Sequence, residues 1–221
     1  MKRVLFLTAI ITTFNLAMSA QIKKGSVVLG GQFAYNDAIS NYSSSQPDHK
    51  NKSAVFNISA GKALKENKVL GVSVSYGHFN FDYNYNNNGN IYLNSNADQY
   101  AFDIFYRQYK KLAKDFYLFG ELGVGYFGSN QTDTDVPGNN KTKYTLSGGE
   151  LYLTPGIAYR IYKKLQVELL VPQIAGVNYS VQKRKSFSNS ANDSRQNQFR
   201  FNTSLNSSLL SNLGLGFRFV L

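Results

Sequence analysis

The sequence has no cysteine, no tryptophan, only 4 prolines and only 2 histidines. Without cysteine there is no disulfide scaffold, no thiolate zinc site, no cysteine nucleophile and no lipidated N-terminal cysteine. Two histidines, His49 and His78, argue against an imidazole-rich metal centre. Charge is scarce as well. Asp, Glu, Lys and Arg make up 17% of the chain, against roughly 25% in an ordinary soluble domain. Beyond the N-terminus no stretch approaches the ~18 consecutive apolar residues of a spanning helix. What the 221 residues do contain is 16 Tyr, 16 Phe, 18 Gly and a net charge of +11. A chain poor in charge and rich in Tyr, Phe and Gly does not read as a cytosolic enzyme.

The N-terminus predicts the compartment. Met1-Lys2-Arg3 is basic, Val4 to Met18 is mostly apolar, and Ala17, Ser19 and Ala20 are small. This is the layout of a secretory signal peptide, with an apolar stretch shorter than the ~20 residues of a transmembrane helix. Cleavage is expected after Ser19 or Ala20, with Gln21 the preferred first residue of the mature chain. The domain reading is therefore a signal peptide over 1–20 and one domain over 21–221.

After Gln21 the pattern has a period of two. Leu70, Val72, Val74 and Tyr76 alternate with Gly71, Ser73, Ser75 and Gly77, and Leu213, Leu215, Phe217, Phe219 and Leu221 alternate with Asn212, Gly214, Gly216 and Arg218. The same alternation runs through 27–35, 54–60, 100–106, 118–126, 151–159 and 167–177, which gives eight strand segments and no helix. The gaps alternate too. Those near 37–52, 83–98, 129–146 and 180–200 are long and polar; those near 65–68, 111–115 and 162–165 are tight. An up-and-down meander with long loops at one end and short turns at the other is the plan of a transmembrane β-barrel. Pro155 and Pro172 fall inside predicted strands and each removes a ladder donor there.

The polarity of the alternation favours a lipid-facing exterior over a soluble sandwich. The apolar parity has aliphatic centres with Tyr35, Tyr76, Tyr106, Tyr126, Tyr159 and Tyr179 towards its ends, as aromatic girdles require. The polar parity carries Gly and Ser with Asp103, Arg107, Glu121, Glu150, Arg160, Glu168 and Arg218. In the narrow lumen of an eight-stranded barrel these charges are expected to form an internal salt-bridge network. Equal counting about the tight turns sets Arg160 beside Glu168 and Asp103 near Glu121. A cation from Arg107, Arg160 or Arg218 is then needed between the two carboxylates. A short repeat, Tyr106-Arg107-Gln108-Tyr109-Lys110-Lys111-Leu112 and Tyr159-Arg160-Ile161-Tyr162-Lys163-Lys164-Leu165, marks similar solutions at two strand ends.

On these features the chain resembles the small eight-stranded outer-membrane β-barrels of OmpA or OmpX type. The resemblance covers nearly all of 21–221 and rests on pattern. It implies an all-β, antiparallel up-and-down transmembrane barrel in a Gram-negative outer membrane, with no cofactor. It also implies that Leu213, Leu215, Phe217, Phe219 and Leu221 form the signal read by the barrel-insertion machinery. The family usually ends in an aromatic residue; here the last is Leu221.

Lys183, Arg184, Lys185 and Arg195 make the last long loop basic and suited to phosphates of lipopolysaccharide or an anionic glycan. Lys23, Lys24, Lys65, Lys68, Lys110, Lys111, Lys163 and Lys164 are expected to ring the short-turn end. His78 is expected at the rim without a catalytic partner, since Asn80 stands two positions on, and His49 in a polar loop. The Asn- and Tyr-rich run 83–92 has a composition suited to carbohydrate or protein contact. Nucleic acid is a poor partner for an exported chain. The expected function is a structural or surface-interaction role through four long extracellular loops, without catalysis. A narrow pore is the alternative, ahead of a lipid-modifying enzyme and a soluble periplasmic lipid-binding barrel.

Overall fold

The computed structural model describes residues 22–40, 48–85, 91–135, 140–187, 193–203 and 213–221. The predicted signal peptide lies outside them, and so does the middle of the Asn-rich run, 86–90. Ten strands follow one another without a helix: β1 (Val27–Ser40), β2 (Asp48–Lys65), β3 (Lys68–Tyr85), β4 (Ile91–Lys111), β5 (Phe116–Asp135), β6 (Asn140–Tyr162), β7 (Leu165–Leu170), β8 (Ala175–Ser186), β9 (Ser194–Thr203) and β10 (Gly214–Val220).

The pairings are all antiparallel and close a ring. β1 to β6 pair in sequence order, β6 pairs β7, β7 pairs β10, and β10 returns to β1 with Leu29 opposite Phe219. Eight strands therefore make the closed wall, as the alternation predicts. The count of ten reflects two divisions, β7 from β8 at Pro172 and β9 from β10 across residues outside the described ones. β7 and β8 are two parts of one wall strand, both paired with β6. The break between them holds Pro172, and Gln173 there has a positive φ of 47°. Pro155 is accommodated inside β6, where it faces Gly120 and its carbonyl accepts the Val171 N–H at 3.0 Å. Beyond Gln32, β1 is paired on its β2 side only and β9 on its β8 side only, among the described residues.

The predicted loops need correction. β3 runs to Tyr85 and β4 starts at Ile91, so most of 83–98 is strand. Likewise β5 and β6 consume most of 129–146, and β8 and β9 most of 180–200. The long connections are hairpins that carry the wall upwards. His49, expected in a loop, has its backbone in β2. Alternation of apolar and polar residues ends where hydrocarbon ends, but ladder hydrogen bonding does not. Polar residues on both faces hide such a strand from a hydropathy reading.

The pleat sorts the side chains. Outward residues stay exposed: Leu70, Val72, Val74, Ile104, Leu122, Val124, Leu151 and Leu153 form the middle of a band, with Tyr35, Tyr76, Tyr126 and Tyr179 above and Tyr106 and Tyr159 below. An apolar belt this continuous, edged by aromatic rings, is a surface for hydrocarbon. At the short-turn end Glu66 and Asn67 join β2 to β3, with Asn67 in the left-handed region at φ 59°. Placing Leu122→Arg in the belt is expected to cost about 2–4 kcal/mol of folding free energy, and Asn130→Arg above it at most about 1. Urea titration of folding into vesicles measures both.

Candidate functional site in the lumen

Inward residues fill the lower half of the barrel. The sequence reason is simple: Phe105, Tyr109, Tyr117 and Phe119 sit on the otherwise polar parity. Pleating turns these rings inward, where they pack with Val28, Ala63, Val69, Ala158 and Leu170 into one buried cluster. Ile22 completes it, wholly buried beneath the wall. Its N–H donates to the Asn67 side-chain carbonyl at 3.2 Å and its carbonyl accepts the Asn67 N–H at 3.0 Å. Gly25, at φ 89°, makes the bend that carries the chain from this stopper into β1.

A charge cluster lies on this apolar floor. Arg107 donates through Nε to Glu121 Oε2 at 2.8 Å and through Nη1 to both Glu168 oxygens at 2.7 Å. Arg218 approaches the same Glu168 from β10, through Nε at 2.8 Å and Nη2 at 3.2 Å. The Tyr109 hydroxyl donates to Glu168 Oε1 at 3.3 Å, and the Arg107 guanidinium stands 4.2 Å from the Phe119 ring centre. Arg107, Glu121, Glu168 and Arg218 are all buried. Two cations meet two anions, and most of their hydrogen-bonding capacity is used within the cluster. That is the condition under which charge survives in a low-dielectric interior. Arg107 and Glu168 reach across the lumen from β4 to β7, so the cluster also ties opposite walls together.

Of the seven charges expected to form one network, Arg107, Glu121, Glu168 and Arg218 meet, Asp103, Glu150 and Arg160 have other partners, and the expected pairs do not form. Arg160 does not stand beside Glu168. An irregularity between Arg160 and Tyr162 shifts the hairpin, so that Arg160 faces Gln166 and Glu168 faces Ala158. Arg160 instead reaches the Tyr117 hydroxyl at 2.7 Å and Asp115 at 3.5 Å, near the turn end. The two copies of the short repeat therefore part company: Arg107 is buried and Arg160 is half-exposed. Asp103 does not face Glu121. It faces Gly125, and its Oδ2 accepts the Ser73 hydroxyl at 3.1 Å. The residue opposite Glu121 is Arg107, which supplies the cation that carboxylate needs. A side chain at 125 would collide with Asp103, so glycine there lets this carboxylate lie against the wall. The paired-carboxylate arrangement is absent at Asp103 and Glu121.

Above the floor is a polar chamber of about 160 Å³, lined among others by Asn57, Ser59, Ser73, Asp103, Glu150 and Arg218. Gln173, at the Pro172 break, caps one side by donating to Glu150 Oε2 at 3.1 Å. A second space of about 350 Å³ adjoins it through Ser75, Glu150 and Gln173 and leads towards the hairpins. Among the described residues the lumen is a well, open above and filled below. His78 lies outside it, on the outer surface, with Nδ1 2.9 Å from Asp98 Oδ1. Sequence reading missed Ile22, Tyr109, Asn67 and Gln166. Tyr109, Phe119 and Tyr117 carried a usable signal, as aromatics on the lumen parity.

Lys183, Lys185 and Arg195 lie in strands rather than a loop, on the outward face; Arg184 points to the other face, its guanidinium 5.9 Å from the Tyr144 ring centre. The lysines expected at the short-turn end flank the tight turns, with Lys23, Lys24, Lys65, Lys163 and Lys164 exposed.

No protein-family model matches the sequence, and no curated relative does. Solved structures do. The outer membrane protein OprG from Pseudomonas aeruginosa superposes with a TM-score of 0.52 at 12% identity, over 92% of this chain and 99% of that one. Neisserial surface protein A gives 0.39 at 13% identity, over 89% and 97%. A major outer membrane protein from Thermus thermophilus gives 0.40 at 16% identity, over 89% and 98%. The chain has the fold of an outer-membrane β-barrel.

Glu168 is the member whose loss strands two buried guanidiniums. Glu168→Gln is expected to destabilise the barrel by about 3–5 kcal/mol. Asp115→Asn, which removes a half-exposed partner of Arg160, is expected to cost at most about 1 kcal/mol. Urea-dependent unfolding in the same detergent compares the two.

Proposed function

We propose that this chain is an integral outer-membrane protein with a non-conducting lumen, whose role is structural or surface-directed and is carried by the raised hairpins. The observation that carries the reading is the filled lower lumen. Ile22, Tyr109 and Phe119 occupy its width, and Glu168 holds Arg107 and Arg218 across it. For an ion to pass, these contacts would have to part, exposing buried charges without partners. The apolar belt with its aromatic edges supports membrane residence, and the OprG-like fold supports the outer membrane as the site. Both termini of the wall lie at the short-turn end, where the Val27 N–H and carbonyl bond those of Leu221. An exported chain then places its hairpins outside.

The hairpins suit a surface role better than loose loops do. They are continuous ladders, from Val27 to Ser40 on β1 and from Ile91 on β4. A partner binding to them loses little chain entropy. On this reading the chain performs no catalytic step of its own.

Planar-bilayer recording tests the lumen. The purified barrel is expected to give no reproducible unitary conductance; regular steps would replace this reading with the pore. Cell fractionation tests the location, with the expected outcome a carbonate-resistant outer-membrane protein whose gel mobility shifts on boiling.

A further inference from the structure

Above the upper tyrosines, the outer surface is not the same all the way round. On the β1–β4 side its polar groups satisfy one another. Lys52 Nζ lies 3.5 Å from Asp37. His78 and the Tyr76 hydroxyl hold Asp98 at 2.9 and 2.7 Å. Asn80 donates to Asn96 at 2.8 Å.

The β6, β8 and β9 side is different. Lys143 on β6 stands directly opposite Lys185 on β8, and Lys183 on β8 directly opposite Arg195 on β9. Like charges opposed across a ladder repel. All four share the outward parity of Leu151, Val177, Tyr179, Phe199 and Phe201. All four are exposed, and none forms an ion pair among the described residues. Asp193 lines the same groove, but its Oδ1 accepts the Ser186 N–H at 2.9 Å. The connecting segments bring no acid either: 188–192 reads Ser-Asn-Ser-Ala-Asn and 136–139 reads Val-Pro-Gly-Asn.

Their height matters as much as their sign. Lys183 is four residues above Tyr179, and Arg195 is four residues from Phe199 across the same pair of strands. Four residues rise about 13 Å along a strand. Allowing for the tilt of the strands, Lys183 and Arg195 stand about 10 Å above the aromatic edge, and Lys143 and Lys185, six residues up, about 15 Å, at the level of headgroups and the sugars above them. Directly below, Tyr179 and Phe199 are 51% and 72% exposed, and Phe201 continues the apolar strip downwards. A cationic groove of about 600 Å³ therefore sits on top of an acyl-chain surface. The cations span three adjacent strands, a width of about 10 Å at the usual strand spacing. One phosphate cannot reach across that distance, but two phosphates on one headgroup can.

We propose that this face of the barrel is a specific site for a lipid A-type glycolipid of the outer leaflet. One headgroup phosphate would lie between Lys143 and Lys185 and the other between Lys183 and Arg195, with the acyl chains on Tyr179, Phe199 and Phe201. The inference rests on the outer-membrane reading above and adds to it a ligand class and a side of the barrel. Arg195 offers a fork to phosphate oxygens, and the three lysines offer point charges.

The test uses the full-length mature protein in phosphatidylcholine nanodiscs doped with bisphosphorylated lipid A, dephosphorylated lipid A or phosphatidylglycerol, read by native mass spectrometry. Lipid retained by the wild type is compared with that of a groove variant, Lys143→Gln, Lys183→Gln, Lys185→Gln and Arg195→Gln. A charge-matched variant, Lys110→Gln, Lys111→Gln, Lys163→Gln and Lys164→Gln, alters the opposite rim. The expected result is about tenfold or greater preference of the wild type for bisphosphorylated lipid A over both other lipids. The groove variant should lose that preference and the rim variant keep it. Equal retention of all three lipids, equal retention of phosphatidylglycerol and lipid A, or equal loss in the two variants would overturn the site. Failure of the wild type to insert into the bilayer would instead overturn the membrane reading beneath it. A barrel that inserts, shifts on boiling and shows no preference would overturn the site alone.

Discussion

Hydrocarbon offers no hydrogen bonds, so a sheet that crosses it must have no free edge. In this chain that demand falls on one short ladder, where Val28 to Gln32 pair with Gly216 to Val220. Everything else about the wall follows from making that ladder possible. The first and last strands have to meet, and an even number of crossings brings both ends to one side. At the Pro172 break β6 spans the gap, pairing with β7 on one side of it and with β8 on the other. Gly30, opposite Arg218 in the closing ladder, leaves room for that side chain to turn inward.

Closure creates the second problem. A ring of eight has an interior too narrow for bulk water and too polar to be left as oil. The lower half solves this with rings, and with a charge cluster whose ions nearly all find partners. Glu168 accepts from Arg107 and Arg218 at once, so β4, β7 and β10 are fixed relative to one another through a single carboxylate. Among the described residues the upper half is left as a polar well. The floor ties the wall together beneath the hairpins, a division that suits a scaffold presenting them.

The wall was legible in the residues because period two has an unambiguous outcome when one face must be apolar. The strands Leu70 to Tyr76 and Leu213 to Leu221 could be placed by parity alone. Their ends could not. Beyond the belt, the outward face of β4 carries Asn94, Asn96 and Asp98 in place of apolar residues, and the inward face Ser95 and Ala97, so a ladder there leaves no hydropathy trace. Parity tells which side chains point inward, so Arg107, Glu121, Glu168 and Arg218 could be read as lumen residues, but not told apart from Asp103, Glu150 and Arg160, which lie outside the cluster. The pairing was not legible. The hairpin turns at Tyr162 and Leu165, which already sets Glu168 past Arg160, and the irregularity between Arg160 and Tyr162 moves it one residue further, to Ala158; Arg107 to Glu168 is a chord across the lumen that no counting along a hairpin can find. The outer basic groove needed Lys143, which stands far before Lys183 in the chain and directly beside its strand in the fold.

Ile22 ties the start of the wall to its far side. Its seat is built from residues as late in the sequence as Ala158 and Leu170, and its backbone bonds the turn at Asn67. Contacts of such sequence separation carry the largest loop-closure cost. The burial of this one side chain therefore depends on distant strands all being in register at once.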